Sequence, residues 1–100
     1  MPRSILERRL VDISERLKRA RAELAVAREQ LVFFEEEAGE ARLRSIVSGT
    51  PLADAEAREA RRHADAMAAH RADLEQTVTR LLEEQDQLLE RLAREPSGRP

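Results

Sequence analysis

Apolar or small residues recur along the first half of the chain with alternating spacings of three and four: Leu6, Leu10, Ile13, Leu17, Ala20, Leu24, Ala27, Leu31, Phe34, Ala38 and Ala41. This is a heptad stripe, and it predicts one long helix over about 3–47. A second stripe, from Ala53, Ala57, Ala60, Ala64 and Met67 through Leu74, Val78 and Leu81 to Leu88 and Leu92, predicts another helix over about 52–94. Arg71 and Gln85 are its two polar interruptions. Ser48-Gly49-Thr50-Pro51 lies between the stripes and predicts a reversal at 48–51. Gly49 suits the left-handed residue that ends a helix, Thr50 can cap the next one, and Pro51 fits its first turn. Residues 95–100 hold two Pro and a Gly without an apolar anchor, and read as a disordered tail after a single domain of 1–94.

Antiparallel partners around a turn have residue numbers with a constant sum. Pairing Leu6 with Leu92, Leu10 with Leu88, Leu17 with Leu81, Leu24 with Leu74, Leu31 with Met67, Phe34 with Ala64 and Ala38 with Ala60 gives 98 each time, twice the number of Gly49. The expected fold is therefore all-α, an antiparallel coiled-coil hairpin. Charges support the register, since Glu35, Glu36, Glu37 and Glu40 fall beside Arg58, Arg61 and Arg62, while Arg9 approaches Glu90 and Arg16 approaches Glu83. Core volume is uneven. Leu dominates away from the turn, whereas Ala38, Ala41, Ala53, Ala57 and Ala60 bury little near it, so the turn end is expected to open most easily. Gln85 opposite Ile13 and Arg71 opposite Ala27 read as devices that fix register.

The first helix has a second apolar side. Val11, Ala25, Val32 and Ile46 share one heptad position, and Ile5, Val26, Phe33 and Val47 share the next, on a face opposite the seam. A two-helix hairpin leaves this stripe in water, which argues for a cover. A second copy of the chain, giving a four-helix bundle with the first helix central, is the expected cover, and another protein is the alternative. A membrane surface fits less well, because acidic as well as basic residues flank the stripe.

Composition narrows the function classes. One hundred residues with 2% aromatic content, no Trp or Tyr and few turn residues argue against sheet-based folds and against a large enclosed active site. Absence of Cys removes disulfides, thiol catalysis and Cys-ligated metals. Eighteen basic residues against 20 acidic ones give a net charge of −2, which argues against nucleic acid as a partner. No apolar run approaches the roughly 18 residues of a membrane span, and no signal-peptide core follows the first Met, so the chain reads as soluble and cytoplasmic.

Little catalytic chemistry is on offer. His63 and His70 stand seven residues apart, roughly 10.5 Å by the helical rise, too far to share a metal within one chain. Glu59 and Asp73 are their ordinary helical neighbours. Carboxylates abound, but a thin hairpin gives no desolvated pocket for acid-base work, and no phosphate loop or nucleophile elbow is present. The expectation is no enzyme, no cofactor and no metal. Arg58, Arg61 and Arg62, and the cluster Arg16, Lys18, Arg19 and Arg21, read as solvated helix faces.

Around the turn, Leu52, Asp54, Ala55 and Glu56 resemble the tip of the Gre transcript-cleavage factors, a run of Leu, an acid and Ala-Glu. That resemblance implies a regulator reaching into the RNA polymerase channel, with Asp54 and Glu56 as tip contacts near its metal. The spaced Glu, Ser, Arg, Gln and Asp set of the actinobacterial anti-sigma coiled coils that bind cyclic di-GMP is not reproduced from any Ser of the chain. From Pro2 to Leu92 the sequence resembles short uncharacterised coiled-coil proteins of high-GC actinobacteria, a likeness that implies no mechanism. The main expectation is a non-enzymatic interaction or regulatory protein that self-associates and binds a protein partner. Its interface would use Val11, Ala25, Val26, Val32, Phe33 and Ile46; the Gre-like channel regulator is the alternative.

Overall fold

The computed structural model describes residues 2–96. It contains two helices, α1 (Arg3–Ser48) and α2 (Pro51–Arg94), joined by Gly49 and Thr50. Both helices reach one residue further toward the turn than the sequence pattern suggested, and the turn shrinks from four residues to two. Cap chemistry explains the difference. Gly49 takes φ +62° and its N–H donates to the Ser45 carbonyl at 2.9 Å, a left-handed closure that keeps Ser48 helical. Thr50 then caps α2, its Oγ1 accepting from the Ala53 N–H at 3.2 Å and its carbonyl from the Asp54 N–H at 3.1 Å. Pro51 has no N–H to satisfy and sits at the first helical position.

The helical hairpin divides into two compact units, Met1–Ala22 with Leu74–Pro100, and Glu23–Asp73. In the first, Leu6, Ile13, Leu17 and Ala20 of α1 form a buried cluster with Leu81 and Leu88 of α2, flanked by Leu10, Val78, Leu82 and Leu92. The expected core of this unit is thus in place, with Gln85 half-buried among it. The expected approaches of Arg9 to Glu90 and Arg16 to Glu83 do not become ion pairs. Arg16 instead meets Asp12 on its own helix at 3.8 Å, since a neighbour one turn away holds a long side chain at less conformational cost. Of the expected tail, the Glu95 N–H still donates to the Arg91 and Leu92 carbonyls. Residues 97–100 lie outside the described ones.

The second unit is built on small residues. Ala27, Ala38, Ala41 and Ala64 are buried with Leu24, while Leu31, Phe34, Ala53, Ala57, Ala60, Met67 and Arg71 are half-buried. Short side chains let the backbones approach but remove little apolar area from water. Polar contacts between the helices accompany this thin core. The Arg61 guanidinium grips Glu35 through two hydrogen bonds of 2.6 and 3.0 Å, and Ser45 donates to Asp54. Phe34 meets the His63 ring edge-on at 6.1 Å.

Candidate functional site

The seam uses two of the seven heptad positions of α1, and the side chains opposite it are set by the same register. Val26, Val32 and Phe33 are respectively 51%, 59% and 57% exposed. Val11, Ala25 and Ile46 are exposed as well, so the whole expected interface set faces solvent within this chain. Order along α1 separates these residues into groups. Asp12, Glu15, Lys18 and Arg19 share the outward positions between Val11 and Ala25, and Glu36 and Glu40 do so between Phe33 and Ile46. The central group, Ala25, Val26, Val32 and Phe33, lies in the second unit.

Phe33 is held from behind. Its ring stands 5.6 Å from that of Phe34 at an interplanar angle of 72°, an edge-to-face pair. Phe34 in turn abuts His63, whose Nε2 is 2.9 Å from the Glu59 carboxylate. A neighbour on one edge narrows the freedom the ring has to lose on docking. Sequence reading left Leu43 and Leu52 out of the apolar surface. Leu43 precedes Ile46 and Val47 by three and four residues, the spacing of one helix face, and all three are exposed. Leu52 is exposed in the first turn of α2.

At the turn, Asp54 accepts the Ser45 hydroxyl and Glu56 is exposed. Asp54 thus serves the local cap geometry, joining the end of α1 to the start of α2. His63 lies against Phe34, and among the described residues no group of three His, Cys, Asp or Glu side chains is arranged to hold a metal ion. A shallow groove of about 470 Å³ in the second unit is lined by Ala38, Gly39 and Ala57 together with Glu35, Arg42, Arg58, Arg61 and Arg62. Two of these guanidinium groups are engaged. Arg61 binds Glu35 and Asp65, and Arg62 pairs with Glu59. The Arg61 hydrogen bonds hold the Glu35 carboxyl below the usual carboxylate range, and Arg62 does the same for Glu59. No described helix is long and apolar enough to cross a membrane.

The fold and the exposed face define a helical hairpin with one apolar side left uncovered. No family model, curated protein or solved structure matches the chain.

Proposed function

We propose that this protein is a non-enzymatic coiled-coil interaction protein of the cytoplasm that self-associates through the outward face of α1 and, as an assembled bundle, binds a protein partner. The observation that carries this reading is the exposure of Val26, Val32 and Phe33 on one helix face. Water contact with clustered β-branched and aromatic side chains is unfavourable, by about 25 cal/mol for each Å² that docking would remove. A second copy supplies a matching surface at the same concentration as the first. Sedimentation equilibrium across a concentration range, on the wild type and on Phe33→Glu, tests the proposal. A wild-type dimer that dissociates on substitution is expected. A wild type that stays monomeric, with an unchanged Phe33→Glu variant, overturns it.

A further inference from the structure

Resting on that self-association, we infer the arrangement of the second copy: it lies antiparallel along α1, with the twofold axis passing beside Glu29. The argument comes from the order of residues on the outward face of one continuous helix. Around Glu29 that face is palindromic in character. Val26 then meets Val32 of the second copy, and Ala25 meets its Phe33. Further out, Lys18 meets Glu40 of the second copy, Arg19 lies between its Glu37 and Glu40, and Val11 meets its Val47. Small meets large at the centre and opposite charges meet on both sides; further out Val11 and Val47 meet, while Ile46 and Leu43 fall on Asp12 and Glu15 of the second copy.

Other arrangements lose this match. A parallel copy in register sets Lys18 on Lys18, Glu36 on Glu36 and Glu40 on Glu40. Sliding the antiparallel copy by one heptad places Ala25 on Glu40, Glu29 on Glu36 and Lys18 on Val47. Sliding it the other way places Lys18 on Phe33, Arg19 on Val32 and Glu15 on Glu36. Like charges set against each other oppose each alternative, and in the two slides charge also falls on the central Ala25, Val32 or Phe33, which is how helical assemblies select orientation. The one like-charged contact in the preferred arrangement is Glu29 with its own copy, and Arg28 stands beside it on each chain. Phe33, edge-on to Phe34, meets the small Ala25. The occupant of the face is therefore an identical chain, matched by charge order as well as by apolar character.

A chain without Cys makes the test direct, because each introduced thiol is the only one present. Full-length Glu29→Cys, Ala22→Cys and Glu36→Cys are oxidised separately and resolved by non-reducing electrophoresis, with the dimer followed by sedimentation. Glu29→Cys is expected to convert to a covalent dimer. In the inferred register the two copies of residue 22, and likewise of residue 36, are offset by roughly 21 Å along the axis, beyond disulfide reach, and stay unlinked. Mixed Lys18→Cys and Glu40→Cys chains are expected to link to each other in preference to themselves. A sedimenting dimer in which Ala22→Cys or Glu36→Cys links and Glu29→Cys does not would overturn the register while leaving self-association intact. A wild type that is monomeric at every concentration would remove both.

Discussion

The same chemical change, Gly to Ala, is expected to act with opposite sign at the two described glycines of the helical hairpin. At Gly39, inside α1 and exposed, a built Cβ meets nothing within 4 Å. Alanine there restricts the unfolded chain and gains helix propensity, stabilising by about 0.8 to 1 kcal/mol. At Gly49 a Cβ also finds open space, but the backbone sits at φ +62°. Left-handed geometry costs an L-residue about 1 to 2 kcal/mol, partly offset by the same restriction of the unfolded chain, for a net loss near 1 kcal/mol. Because the unfolded-state contribution is common to both variants, the gap of about 2 kcal/mol reports chiefly backbone conformation. Urea unfolding followed by far-ultraviolet circular dichroism suits a chain that has no Trp or Tyr to fluoresce. With a slope near 1.5 kcal/mol per molar, the two midpoints should differ by about 1.3 M. Protein concentration must be held fixed, since self-association would add to apparent stability. Two midpoints displaced in the same direction would refute the assignment of Gly49 as the left-handed closure of α1.

Two further outcomes follow from packing and charge. Leu81 is 2% exposed in the core of the first unit, so Leu81→Ala should lose about 3 kcal/mol. Leu89, at 49% exposure, is the matched control; Leu89→Ala should shift the urea midpoint only slightly, and equal losses would contradict the described seam. The Glu35 carboxyl is held below its ordinary range by Arg61, so its contribution is full above the unfolded carboxylate pKa of about 4.3 and disappears as pH falls through the lower folded value. Arg61→Gln should therefore flatten the dependence of stability on pH on the acid side of about pH 5, measured as urea midpoints at successive pH values.

Periodicity made the seam readable because burial in a two-helix hairpin depends almost entirely on heptad position. Every seam position from Leu6 to Ala41, and from Ala53 to Leu92, is buried or half-buried. Turn chemistry was equally readable, since Gly49, Thr50 and Pro51 each have a local backbone reason to stand where they do. Long charged side chains were less so. Arg16 has both Asp12 along its helix and Glu83 across the seam within plausible reach, and spacing cannot rank them; Arg61 reaches Glu35 across the helices while also holding Asp65 on its own. The candidate face was legible at Val26, Val32 and Phe33. Leu43 was missed because its heptad position is filled by Glu29 and Glu36 in the two preceding repeats, so the position looked polar.

A contrast between the helices carries the last argument. At the three outward heptad positions, α2 bears Arg58, Glu59, Arg62, Asp65, Arg80, Glu83, Asp86, Gln87 and Glu90, and its one apolar residue larger than Ala there is Leu52, in the first turn. The same positions of α1 bear Val11, Val26, Val32, Phe33, Leu43, Ile46 and Val47. Each helix buries its seam side against the other, so pairing within the chain does not require the difference. Concentration of large apolar residues on the outward side of α1 fits a bundle in which α1 is covered twice and α2 once. Introducing a charge separates the two faces. Val26→Glu and Ala69→Glu each place a good helix former on an outward position, so neither should perturb helix formation by circular dichroism. Val26→Glu should lower the sedimenting mass toward that of one chain, and Ala69→Glu should leave it unchanged. Equal behaviour of the two variants against a wild-type dimer would show that the apolar side of α1 is not what joins the copies.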